Sequence, residues 1–294
     1  VVGSKIEEWM SGRMRILIVA DEVWNDLLHG NNVLTNWFTG FDAEFAEIYC
    51  SPGLPNNKIC RRYFQITDSM MVKSIMGKRA GRPFSCKTED ITVATNVAAP
   101  SRFYRFMKSI SSNLLLIVRD FIWLTGRYDK RALGRFIDDF HPDVVFCPRL
   151  LTPKLLRLER MISKMSSAPM IAFTGDDEAS LREYSLSPFY WLRRLSFHWA
   201  FEKFVPHIYR YYFMHSREQA EEYAARYKIP TEVLFKAGDF SEQMFKKGPH
   251  GPIRMVYAGR LYCNRWKTLA AIGEALSVIN RHEVKMVLDI YTQE

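Results

Sequence analysis

The sequence predicts an α/β protein of two domains, with parallel sheets carrying helices on both faces and the second domain incomplete. Three observations carry that reading. Apolar, β-rich runs alternate with helix-length segments along the chain, the pattern of strands joined by helical crossovers. The first run, Arg15–Ala20 (RILIVA), is apolar at nearly every position, as a strand covered on both faces must be. Lys246–Pro252 (KKGPHGP) packs two Gly and two Pro into seven residues, and a fresh strand–helix–strand pattern opens behind it.

After Arg15–Ala20, strands are expected at Ala46–Ser51, Asp143–Cys147 (DVVFC), Pro169–Phe173 (PMIAF), Tyr211–Met214 and Thr231–Phe235 (TEVLF), then at Ile253–Ala258 and Glu283–Tyr291. Helices are marked by their caps. Thr152-Pro153 and Ser187-Pro188 each place a hydroxyl before a proline at the first helical position. Ser216 with Gln219 three residues on reads as a capping box opening a helix through Arg226. Ser101 can cap a helix through Leu124, in which Phe103, Phe106, Ile110, Leu114 and Ile117 recur at helical spacing and mark a core-facing stripe. Helical runs are also expected from Val33 and over Thr268–Ile279. The domains are accordingly 14–245 and 253–294, joined by a linker at 246–252. The chain opens on Val1, and Gln293 and Glu294 follow directly on the last expected strand, where a parallel strand needs a crossover. The second domain is therefore expected to be cut off.

Composition narrows the class. With 48% hydrophobic and 25% charged residues the chain is neither collagen-like, disordered nor a disulfide scaffold. Its longest stretch without Asp, Glu, Lys or Arg, Leu27–Phe41, is interrupted by Gly30, Asn31 and Asn32 and is too short to span a bilayer. The N-terminus lacks the apolar core of a secretory signal. Cys50, Cys60, Cys86, Cys147 and Cys263 include no C-x-x-C pair and read as reduced, mostly buried thiols of a cytoplasmic protein. The 41 basic and 32 acidic residues give a net charge of +9. The excess is local, with 13 basic against 6 acidic residues over Arg102–Lys164, and 6 against 2 over Leu181–Arg217. A basic face attracts phosphate, whether on nucleic acid, anionic lipid or a small diphosphate.

In open α/β sheets the residues just after each strand meet the ligand. After the first strand come Asp21-Glu22-Val23-Trp24, then Gly30-Asn31-Asn32 opening a helical run, a turn that offers backbone N–H groups to an anion or serves as plain loop punctuation. Neither G-x-G-x-x-G nor G-x-x-x-x-G-K-[ST] occurs here, against a nicotinamide-dependent dehydrogenase and a P-loop nucleotidase. After Phe173 the chain reads Thr174-Gly175-Asp176-Asp177-Glu178. These acids can orient or deprotonate a hydroxyl, or one of them can cap the next helix. No metal site is expected from them, since no His or second acidic cluster has ligand spacing. The strongest constellation is Tyr257-Ala258-Gly259-Arg260-Leu261 followed by Lys267. A glycine ends the strand, and a guanidinium and an ammonium follow near the start of the helix expected from Thr268. Together these suit a diphosphate, the other reading being two surface cations on a loop.

On Gly259-Arg260-Leu261 with Lys267, on the D-F-H-P-D-V-V stretch from Asp139 to Val145, and on Ser216–Asp239, the sequence resembles the group 1 retaining glycosyltransferases of the GT-B fold, with two Rossmann-like domains. The resemblance implies an acceptor-side first domain and a nucleotide-sugar-binding second domain, with transfer in the cleft they form. It implies that Arg260 and Lys267 neutralise the donor diphosphate without a metal, that Asp176 or Asp177 orients the acceptor, and that the leaving phosphate takes the acceptor proton. No cofactor is implied, the nucleotide-sugar being a co-substrate. The family's E-x7-E region would fall beyond Glu294, and many members carry a His where Gly175 or Asp176 stands here. A sugar-nucleotide epimerase of the same architecture is the alternative enzyme. A non-catalytic basic module for membrane or nucleic acid is the third reading, and no nucleic-acid-binding motif supports the latter. The aromatic and basic segment Tyr184–Tyr212 is expected to touch an anionic membrane at its inner face, where a lipid-linked acceptor would lie, with helical spacing splitting its aromatics between core and surface.

Overall fold

The computed structural model describes residues 13–27, 32–86, 113–148, 152–177, 180–182, 185–235, 251–259, 261 and 264–292. Contacts divide the chain into two units, Val1–Asp239 and Phe240–Glu294.

The first strand sets the architecture of the first unit. In β1 (Met14–Ala20), Leu17 and Val19 enter one apolar core, while Ile16, Ile18 and Ala20 enter another. That is the two-residue period of a strand buried on both faces. β1 pairs in parallel with β2 (Ala43–Tyr49) on one side and with β5 (Val144–Pro148) on the other. Outside β2 lie β3 (Arg62–Gln65), parallel, and β4 (Arg82–Ser85), antiparallel. Outside β5 lie β6 (Met170–Thr174), β7 (Tyr211–Met214) and β8 (Thr231–Val233), all parallel. The resulting order, β4-β3-β2-β1-β5-β6-β7-β8, is a doubly wound, Rossmann-like sheet. The chain first builds outward from β1 and then returns to build outward from β5, so the winding reverses between these two strands.

Of the helices, α1 (Asn32–Phe38) covers one face. Its Trp37 meets Phe146 and Phe173 edge-on at 6.0 and 4.8 Å, and Phe38 packs on Phe45 at 5.0 Å. The other face is lined by α2 (Asp68–Ile75), α3 (Asn113–Thr125), α4 (Lys130–Phe140), α5 (Pro153–Met165), α6 (Pro188–Ile208) and α7 (Arg217–Tyr227), which bury Met71, Trp123, Ile137, Leu158, Phe201 and Tyr223 in one cluster. The D-F-H-P-D-V-V stretch is the joint between α4 and β5. Phe140 is buried, His141 ends the helix in the left-handed region (φ 49°), and the Asp143 carboxylate accepts the Arg15 N–H at 2.8 Å, fixing the start of β1.

Several expectations are revised. β3, β4, α2 and α4 were not expected. Pro83 fits β4 because an edge strand can dispense with a donor. Ser187 caps α6 through Tyr190 N–H, but the Thr152 hydroxyl makes no cap bond to α5. Only half of the capping box forms. Ser216 accepts from Gln219 N–H, while the Gln219 amide reaches across to the Asp176 carbonyl at 2.9 Å instead of back to its own helix. In the stripe expected over Ser101–Leu124, Leu114 is exposed and Ile117 half-buried, and the rest lies outside the described residues. Cys50, Cys60 and Cys147 are buried free thiols and Cys86 is half-buried. Among the described residues no helix is long and apolar enough to cross a membrane.

The second unit contains β9 (Ile253–Ala258), α8 (Arg265–Ile279) and β10 (Met286–Tyr291). β9 and β10 pair in parallel from Ile253–Met286 to Ala258–Tyr291, so α8 is the crossover of a βαβ unit.

Candidate functional site

The winding reverses between β1 and β5, and in doubly wound folds the carboxyl edge of the sheet at such a reversal is where ligands bind. Two charged side chains meet there. Asp21 directly follows β1, and Lys154 stands on the first turn of α5 after β5; they form an ion pair in which the Lys154 side chain is 3% exposed and Asp21 16%. The Lys154 ammonium also lies 5.1 Å from the centroid of Trp123 on α3. Trp123 in turn donates its indole N–H to the Asp68 carboxylate at 2.5 Å, and Arg119 adds a contact to the same oxygen at 3.2 Å. Carboxyl-edge residues after β1, β3 and β5 are thereby tied together through α3. The turn after β1 is held from below: Trp24 N–H lies 2.9 and 3.1 Å from the two carboxylate oxygens of Glu47, and Val23 N–H donates to the Ser51 hydroxyl at 3.1 Å. Burial raises the Glu47 pKa to about 8, against the lowering effect of the Trp24 N–H, so this carboxyl is mainly neutral at pH 7.

Asp176 and Asp177 follow β6 at the same edge, and both are exposed. Neither caps a helix, since the cap of α6 is Ser187. Their loop is fixed by its backbone. Thr174 hydroxyl bonds the Asp176 carbonyl at 3.0 Å, and the Arg194 guanidinium, buried against the loop, donates to the carbonyls of Ser180 (2.7 Å) and Asp177 (3.3 Å). The Tyr223 hydroxyl donates to the Asp177 carboxylate at 3.2 Å. Asp177 edges a pocket of about 230 Å³ lined also by Ser180, Arg182, His198, Glu222 and Tyr223. Arg182 and Glu222 pair across it at 3.4 Å. An exposed carboxylate beside paired charges can accept hydrogen bonds from a polyhydroxylated ligand.

In the second unit Gly259 ends β9. Its N–H is used within the sheet, donated to Tyr291 at 2.9 Å, and a Cβ there would come 3.1 Å from the Tyr257 hydroxyl. Lys267 stands exposed in the first turn of α8, its ammonium 5.8 Å from the Trp266 ring. This places an exposed cation where the helix dipole is also positive. Gly30, Asn31 and Arg260 lie outside the described residues. The sequence reading missed the Asp21–Lys154 pair. Its signal was the order strand-Thr-Pro-Lys, which puts a lysine on the first turn above the sheet edge.

The fold defines a doubly wound, Rossmann-like α/β protein. No family model matches the chain, and no curated protein matches it in sequence. Among solved structures it is similar to a UDP-N-acetylglucosamine 2-epimerase from Rickettsia bellii, at 12% identity and a TM-score of 0.39. The match covers 96% of this chain and 62% of that one.

Proposed function

We propose that this chain transfers a sugar from a nucleotide-activated donor to a carbohydrate or lipid-linked acceptor, as a glycosyltransferase of the GT-B type. The observation that carries the reading is the second unit. A parallel βαβ unit ends its first strand at Gly259 and presents the exposed Lys267 on the first turn of its helix, with Arg260 next to the glycine in sequence. Lys267 and Arg260 neutralise the diphosphate as negative charge develops on its departing oxygen. The first unit supplies the acceptor side. Asp177, held by Tyr223, accepts a hydrogen bond from the acceptor hydroxyl and aims its oxygen at the sugar carbon. The bond from that carbon to the phosphate oxygen breaks, the bond to the acceptor oxygen forms, and the acceptor proton passes to the leaving phosphate. No protein nucleophile or cofactor enters this scheme.

The test is to incubate the chain with a nucleotide-sugar panel and candidate acceptors and follow the products by NMR. Free nucleoside diphosphate should appear one for one with a new glycoside. Epimerised sugar still joined to its diphosphate would favour an epimerase, and untouched nucleotide-sugars throughout would refute both.

A further inference from the structure

α3 is apolar at most positions apart from Arg119 and Asp120, and among the described residues it is scarcely covered. Of its large apolar residues, Leu114, Leu116, Val118, Phe121 and Leu124 are all exposed, Phe121 at 61% and Leu124 at 64%, and only Trp123 is buried. A helix apolar all round is normally enclosed by protein or by lipid. α6 continues this surface. It is joined to α3 by an Arg193–Asp120 ion pair of 2.5 Å, and while Phe197, Phe201 and Val205 point into the core, Phe189, Leu192, Leu195 and Trp199 do not. On the other side of α3, the Arg119–Asp68 pair joins α2, which exposes Val72 and Ile75. Exposed apolar side chains gathered on three adjoining helices mark a contact surface.

Charge decides what it contacts. The acids bordering the face are each matched by an arginine: Asp68 by Arg119, Asp120 by Arg193 and Glu202 by Arg226. Among the described ion pairs none takes Lys73 of α2 or Lys203 of α6, and the Lys203 ammonium rests 4.7 Å from the Trp199 ring centroid. Among the described residues the uncompensated charge of the face is therefore positive. A second copy of this face would bring like charges together, whereas an anionic lipid surface takes the apolar side chains and satisfies the lysines at once. We propose that α3 and α6 together form a membrane-contacting face that seats on anionic lipid. This narrows the expectation for Tyr184–Tyr212 to one stripe of α6 and adds α3, which that expectation left out.

Flotation of the 294-residue chain with phosphatidylcholine vesicles, with and without phosphatidylglycerol, tests it. Binding should be at least tenfold stronger to the anionic vesicles and should fall as salt is raised. Phe121→Ser with Leu124→Ser should weaken it at least tenfold, Trp199→Ser several-fold, and Lys203→Glu should erase much of the anionic preference. These side chains are exposed, so circular dichroism should be unchanged; should the double variant fail to fold, Trp199→Ser and Lys203→Glu still give the reading. Equal binding to neutral vesicles, binding to neither, or binding indifferent to all the substitutions overturns the proposal. So does a dimer in sedimentation that the same substitutions abolish while no vesicle binds.

Discussion

Glu47 gives the most quantitative handle on this molecule. It lies on β2 with 0% exposure, its carboxyl against the Trp24 N–H, and burial lifts its pKa from 4.5 to about 8. Between those values the folded chain holds a proton that the unfolded chain has released, so stability is greatest below the unfolded pKa and falls as pH rises toward the folded one. Each pH unit in that window costs about 1.4 kcal/mol, and the whole window roughly 5 kcal/mol. Glu47→Gln removes the titration and keeps an oxygen for Trp24 N–H. Urea unfolding of both proteins should therefore show the Gln variant gaining on the wild type by ~1.4 kcal/mol per unit between about pH 5.5 and 7.5, other titrations cancelling in the difference. A difference that stays flat across that range would refute the reasoning.

Two further outcomes follow from the carboxyl edge. Lys154→Met leaves the half-buried Asp21 carboxylate without its cation and should cost about 2–3 kcal/mol in urea unfolding, with Asp21→Asn in the same chain restoring most of it. Asp176→Asn and Asp177→Asn should leave stability within about 0.5 kcal/mol, since neither residue caps a helix and Asn keeps an oxygen for Tyr223, while turnover in the transfer assay falls at least tenfold. Loss of stability without loss of turnover would remove them from the site.

The sheet was legible wherever its strands are buried on both faces, because burial there demands uninterrupted apolar residues, as in RILIVA and DVVFC. β3 (RYFQ) escaped notice because it is four residues long and ends on Gln65, which is buried only by virtue of bonds to the Ser51 and Gly53 carbonyls and from Arg82. Those partners are set by the fold, and no local pattern announces them. Ser187 was readable as a cap because capping is local. Gln219 misled because its side chain instead donates its amide N–H to the Asp176 carbonyl, on a loop distant in sequence. The Asp21–Lys154 pair was hidden for the same reason, each half looking like an ordinary surface charge until β1 and β5 lie side by side. The apolar stripe of α3 was read as core on periodicity alone, which reports that a face is covered but not by what.

Calorimetric titration with a panel of nucleoside diphosphates tests the central claim, a diphosphate seat at Gly259, Arg260 and Lys267, most directly. The full-length protein should bind one of them, and Arg260→Ala or Lys267→Ala should each weaken it about ten- to a hundredfold, the loss of one charge-assisted hydrogen bond at about 1.5–3 kcal/mol. Affinity unchanged in both variants would contradict the account.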